Sequence, residues 1–404
     1  MNQPLKLEKV YPEHVPPELV FEYDYLEDPE FVDDPQRVLR RLLDYPPVFF
    51  TPLNGGHWIA TRSSEILESL QKHEIYSSEP PMLRHIASDA TKFAPIDVDP
   101  PRHTGLRKPF GPVFSPAAAL ALTGMIEGRI EALIDGVIDK GGCEFVTDIA
   151  QRLPTYVILE LFGLPHDRLG QFLKWTSNFL HSSDPELMAN TVKEVWAYLG
   201  EVIAERRANP STDVISQFVT SQVNGQEPDD ELMLQYATLL FFGGLSTVEA
   251  TMCFMIRFLA ENPEHRKQLA GDPELVPGAV EEMMRHNGIV NTVRQITQDT
   301  VLGGVQLKKG DQIMIPMILM GLDDRVEPDA LTVDFKRRNK RHALFGAGPH
   351  RCAGSHLARH ELVCFLRAWM RRIPDFAIAP GQKAKCYGGM SMGMLELPLV
   401  WPAR

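Results

Sequence analysis

The chain has 404 residues, is 44% hydrophobic and carries a formal net charge of −12 at pH 7. That length can bury a large core, and 29 glycines, 32 prolines and ordinary charge content exclude disordered, fibrous and repeat classes. The acidic balance also excludes a general nucleic-acid binder, because neutralising phosphates requires a basic footprint.

Met1 to Val20 holds prolines and charges in place of an apolar run, so neither a secretory signal nor a membrane anchor is expected. No run approaches the roughly 20 apolar residues that span a bilayer, and a cytoplasmic location is expected. Trp58-Ile59-Ala60-Thr61, entered from the turn Asn54-Gly55-Gly56, predicts a strand of a small sheet. From Pro80 to Pro101, prolines and poor periodicity predict a long irregular segment, a candidate substrate wall. From about Pro116 to Arg207, apolar residues recur at helical spacing, as in Ile126-Ile130-Leu133-Ile134-Val137-Ile138. Breaks fall at Gly141-Gly142, Gly163-Leu164-Pro165 and Asp184-Pro185, and no linker divides the chain, so a single domain over residues 1–404 is expected.

Glu231 to Leu259 is the longest helical stretch and is apolar on nearly all sides, which predicts a central position. Gly243-Gly244 interrupts it at a cost of roughly 1 kcal/mol per glycine. Two readings stay open: close packing of a neighbouring helix, or a bulge or groove for a ligand beside Ser246 and Thr247. Beyond Asn262-Pro263, Glu282 and Arg285 share one helix face, and most such pairs are surface pairs worth a few tenths of a kcal/mol. Val290 to Met320 predicts a second small sheet. Lys336-Arg337-Arg338-Asn339-Lys340-Arg341 is a basic run, either a solvated loop or a docking patch for an acidic protein. The last helix is expected from about Ser355 to Arg372, before a strand-rich tail.

Five cysteines, odd in number and widely spaced, predict reduced thiols and no zinc site. Cys352 stands apart. It lies in Phe345-Gly346-Ala347-Gly348-Pro349-His350-Arg351-Cys352-Ala353-Gly354, just before a helix whose amides and dipole would stabilise a thiolate. The glycines would let the backbone approach a flat macrocycle, and thiolate is a known haem ligand.

Phe345-Gly346-x-Gly348-x-x-x-Cys352-x-Gly354 resembles the haem-binding signature of the cytochromes P450. Glu282-x-x-Arg285 is similar to the family's E-x-x-R pair, with Arg337 as its third partner, and Gly243-Gly244-Leu245-Ser246-Thr247 resembles its oxygen-binding groove. The likeness runs from about Pro12 to Trp401 and is nearest to the bacterial camphor 5-monooxygenase group in Asn54 to Arg62, Val305 to Ile313 and Arg372 to Phe376. It implies a triangular, mostly α fold with small β-sheets and a haem b held by Cys352. Phe345, Gly354 and His103 would line the cofactor, and Arg107, Arg294 and His350 would lie at its propionates.

The resemblance also implies that Thr247 helps deliver protons to dioxygen, with Ser246 where an acid is usual and Glu249 a substitute if it points inward. Matched pocket positions are Met82, His85, Thr91, Phe93, Leu239, Phe242, Val290, Met390 and Ser391. Thr91 is too short to replace the tyrosine that binds camphor's ketone in the family, so an ionone-like terpenoid or norisoprenoid ketone is expected over camphor. Electrons are expected from an acidic [2Fe–2S] ferredoxin and a flavin reductase using NADH, with the basic run, Arg107, Lys108 and Arg359 on the docking side. The protein is expected to be a monomer. Two alternatives remain: a peroxide-using relative, disfavoured by Thr247, and a haem-based sensor, for which the matched span leaves no output domain.

Overall fold

The computed structural model describes residues 11–79, 83, 93–180 and 184–402. The expected breaks separate helices Thr123–Asp135, Arg152–Leu161, Leu169–Leu180 and Pro185–Ala208. The Gly141-Gly142 break does more than end a helix. Gly141 is left-handed at φ 69°, and Gly142 opens a strand, Gly142–Glu144, where a Cβ would meet the Leu399 carbonyl oxygen at 2.7 Å. That strand joins Pro398–Val400 and Ala377–Ile378 in a three-stranded sheet.

The central helix runs Asp230–Glu261, about 48 Å at 1.5 Å per residue. Asp229 caps it by accepting from the Leu232 amide at 2.8 Å, and Asn262-Pro263 ends it as the next helix begins. By length and composition it could cross a membrane, but 67% of its most apolar window is buried inside the protein, as befits a core helix. The last helix is Ser355–Arg372.

One expectation needs correction. The strands after Val290 do not form a wholly separate sheet. Asn291–Ile296 and Gln312–Pro316 pair antiparallel with each other, and Gln312–Pro316 also runs parallel to His57–Ala60. The outcome is one five-stranded sheet ordered Val48–Thr51, His57–Ala60, Gln312–Pro316, Asn291–Ile296, Tyr76–Ser77. Only Thr300–Leu302 and Val305–Leu307 stand apart as a hairpin. Four of these five strands are buried at every position, which fits a sheet covered on both faces.

Apolar side chains form two clusters, a helical one with Phe145, Phe241 and Trp369 and a sheet-centred one with Tyr25, Phe49 and Trp58. Val290 packs against both, Phe242 against the first and Met390 against the second.

Candidate active site

The Cys352 loop is shaped by its glycines. Gly346 and Gly348 are left-handed at φ 69° and 68°, and a Cβ on Gly348 would meet the Leu70 carbonyl oxygen at 2.6 Å. The Cys352 amide donates to the Phe345 carbonyl at 2.7 Å, which folds the loop back and places the cysteine before helix Ser355–Arg372. The Cys352 surface is uncovered, yet the enclosing protein pushes its thiol pKa up, against the pull of the Gly354 amide and the guanidiniums of Arg107, Arg359 and Arg351. A side chain both uncovered and enclosed lines an internal space. Gly354, two residues on, has no atom within 4 Å of where a Cβ would stand. Cys386, the other cysteine near the C-terminus, is 3% exposed in a strand, and its sulfur accepts from Arg257 Nη1 at 3.2 Å. It is not open to a ligand.

On the central helix the two glycines take the two readings between them. A Cβ on Gly244 would meet Ile158 Cδ1 at 2.8 Å, so this residue permits close helix packing. Gly243 has nothing within 4 Å and is exposed, although Phe241 and Leu245 on either side are 0% and 2% exposed. The helix continues without a bulge, so the open face is a groove made by a missing side chain. Thr247 donates from Oγ1 to the Gly243 carbonyl at 3.0 Å, and Thr251 does the same to Thr247 at 2.7 Å. Ser246 is half-buried beside them. Glu249 lies about 200° around the helix from Thr247. It is 6% exposed, and burial raises its pKa to about 7 against a hydrogen bond with Gln151. It therefore does not share the Thr247 face.

A cluster of nitrogen donors lies on the Cys352 side. His103 and His350 are 4.4 Å apart between ring centroids, and Asp99 receives His350 Nε2 at 3.3 Å, Ser77 Oγ at 2.5 Å and the Ser78 amide at 3.1 Å. His103 Nε2 and His350 Nδ1 are buried without a partner. Burial lowers His103 to about 4 and Arg294 to about 10. Arg294 Nη1 donates to Thr292 Oγ1 at 3.1 Å and the Val293 carbonyl at 2.7 Å, and Arg107 Nη2 donates to the Arg351 carbonyl. Two imidazoles with unmet hydrogen-bonding capacity and two guanidiniums, answered chiefly by Asp99, suit an acidic group such as a pair of propionates. Together with the two open glycines and the uncovered thiol, they fit a haem.

Of the predicted pocket residues, Val290 and Ser391 form an isolated antiparallel bridge, and the Asn291 amide donates to Met390 O at 2.8 Å, so these are brought together. Leu239 is half-buried on the central helix, and Phe242 stacks on Phe179 at 4.0 Å between centroids. The Phe93 amide donates to Asp97 Oδ2 at 2.7 Å. Met82, His85 and Thr91 lie outside the described residues. Two contributors escaped the sequence reading: Phe179, one of many helical aromatics, and Asp99, whose partner His350 lies 251 positions away.

The Glu282–Arg285 pair is not a surface pair. The two side chains are 0% and 2% exposed, with Arg285 Nη2 2.8 Å from Glu282 Oε1 and Arg337 Nε at 3.0 Å from the same oxygen. Arg285 also donates to the carbonyls of Gly321, Ala330 and Thr332, tying the helix to the segment before the cysteine loop. The basic run divides accordingly: Arg337 is buried, whereas Lys336, Arg338 and Arg341 are exposed. Arg359 is not a free docking cation, since it pairs with Glu281 and lies 4.2 Å over the Phe345 ring.

Comparison with known proteins agrees with this geometry. The family model described as Cytochrome P450 matches residues 156–395. A Sinorhizobium fredii protein named "Probable cytochrome P450 127A1" is 31% identical, over 96% of this chain and 96% of that one. The linalool 8-monooxygenase of Pseudomonas putida is 28% identical over 85% of this chain and 90% of its own. Among solved structures, CYP101C1 superposes with a TM-score of 0.92 at 30% identity, covering 98% of this chain and 100% of that one. CYP101J2 gives 0.90 at 29% identity, covering 97% and 99%.

Proposed function

This chain belongs to the cytochrome P450 family and is a haem b monooxygenase, and from that premise we propose that the Cys352 thiolate would hold the haem iron and that the Gly243–Thr247 groove would make room for dioxygen. The observation that carries the assignment is the uncovered Cys352 thiol within a ring of Gly354, Arg107, Arg351 and Arg359. Haem supplies the oxygen activation that no side chain here can perform. The chain's own residues hold and orient. Arg107, Arg294, His103 and His350 offer donors to the propionates, and the uncharged His103 acts as a neutral hydrogen-bonding partner. Gly243 leaves room above the helix, and the Thr247 hydroxyl is positioned by its bond to Gly243 to accept and pass a proton. Ser246 relays through its hydroxyl but brings no charge of its own.

The substrate is a small apolar terpenoid or norisoprenoid, hydroxylated at an unactivated C–H bond, with an ionone-like ketone ahead of camphor. Half-buried Leu239, Phe242, Val290 and Met390 support an apolar pocket, and one relative is named for linalool. The enzyme works as one cytoplasmic catalytic unit and takes electrons from a [2Fe–2S] ferredoxin and its flavin reductase. Exposed Arg338, Arg341, Lys108 and Arg351 support an acidic partner docking on the Cys352 side. A spectral binding screen tests the substrate: ionones should give a tight, near-complete spin shift and camphor a weak, partial one. The reverse order would overturn the reading.

A further inference from the structure

A second polar cavity, of about 330 Å³, lies between the C-terminal end of helix Pro35–Arg40, the last turns of the central helix and the His286-Asn287 end of helix Val276–His286. Its Arg257 wall is ten residues past Thr247, about 15 Å along the helix, so it is separate from the active site. Three polar atoms of its lining are buried without a partner: Gln36 Nε2, Arg40 Nε and Asn287 Nδ2. All three are N–H donors.

The charges narrow the occupant. Arg257 is satisfied by Glu261 at 3.0 Å and the Asp33 carbonyl at 2.7 Å, and His265 bonds to the Val333 carbonyl at 3.1 Å. His286 is held near 4 by burial and by Arg40, so it is uncharged at neutral pH, and its Nδ1 is 2.9 Å from Asn287 Oδ1. Arg40 remains. Its Nη2 meets only the His286 ring at 3.3 and 3.4 Å, and no carboxylate lies within ion-pair distance of it among the described residues; Asp34 attracts it from farther off and Arg285 repels it. A buried guanidinium with no direct ion pair leaves a place for one negative charge, while Asp34 and Glu261 in the same wall disfavour a dianion. Phe254 and Phe258 add an apolar side.

We propose that this cavity binds a small organic monocarboxylate, whose oxygens take the donors of Arg40, Gln36 and Asn287 while its body lies against Phe254 and Phe258. Bound charge would also quiet the repulsion between Arg40 and Arg285, so binding stabilises the fold. The test is the melting temperature of the haem-loaded protein titrated with butyrate, with chloride and inorganic phosphate at matched ionic strength as controls, and the Soret band read in parallel. Butyrate alone should give a saturable rise with no Soret change. The rise should disappear in Arg40→Gln and weaken at least tenfold in apparent affinity in Asn287→Leu, which decides the matter should Arg40→Gln not fold. No saturable rise, an equal rise with phosphate or chloride, or a rise unchanged in the variants would overturn the proposal.

Discussion

The Thr247 hydroxyl donates to the Gly243 carbonyl one turn back on the central helix, at 3.0 Å, beside the position where the helix lacks a side chain. This bond fixes the hydroxyl rotor, so its lone pairs face a defined direction. Thr247→Ala removes the proton relay while leaving the groove. Product yield per NADH should fall severalfold and peroxide rise, with substrate-induced spin shift retained. Ser246→Asp should raise turnover by supplying a charge to recruit protons. Unchanged coupling in Thr247→Ala would remove Thr247 from this role.

Glu282 carries two guanidiniums at full burial. Glu282→Gln leaves Arg285 and Arg337 buried without their counter-charge, a loss of about 3–5 kcal/mol. The expected result is little soluble haem-loaded protein, and Arg285→Lys should behave similarly because lysine cannot reproduce the forked contacts to Gly321, Ala330 and Thr332. A Glu282→Gln protein melting within a degree of the parent would contradict this account.

Two buried carboxyls set a pH dependence of stability. Burial raises Glu361 to about 8 and Glu249 to about 7 from an ordinary 4.5. Between 4.5 and these values the folded protein holds protons that the unfolded chain has released, so stability falls as pH rises through that window. Glu281 has the opposite sign. Burial opposes its ionisation, but hydrogen bonds with His342 and Arg359 lower it to about 2, and its contribution is lost as pH falls from 4.5 through 2. His103 and His286, both held near 4, oppose this slope below about pH 6.5, so melting curves from pH 6.5 to pH 8.5 should slope downward, and Glu361→Gln should flatten them. An equal slope in parent and variant would rule Glu361 out as the cause.

The docking face is tested by separating steering from structure. Arg341 is exposed, whereas Arg359 is tied to Glu281. Arg341→Glu should slow reduction by an acidic ferredoxin several-fold at low salt and flatten its salt dependence, with substrate affinity and melting temperature unchanged. Arg359→Glu should slow reduction too, but with a loss of stability. Salt-independent reduction in the parent would exclude electrostatic docking.

Much of this site was legible because its signals are local. The glycines at 346 and 348 encode left-handed turns, and Gly243 and Thr247 are one turn apart on a helix whose apolar pattern is plain. The bounds of helix Ser355–Arg372, opening right after the cysteine loop, also agree with the expected ones. What sequence could not give depends on distant partners. Asp99 meets His350 across 251 positions, and the parallel pairing of Trp58 with Ile313 has no local marker, which is why one sheet looked like two. Burial of Glu282 was equally hidden, since an i,i+3 pair looks the same on a wet or a dry helix face. For Glu249, helical phase alone separates it from the Thr247 face, while its Gln151 partner needed the fold.

The central claim is that Cys352 ligates the haem, and the reduced, carbon-monoxide-bound absorption spectrum tests it most directly. The parent protein should show the red-shifted Soret band of thiolate-ligated haem, and Cys352→His should retain haem but move the band to the imidazole-ligated position, while Cys386→Ser leaves it unchanged. A thiolate band that survives in Cys352→His, or vanishes in Cys386→Ser with haem still bound, would contradict the account.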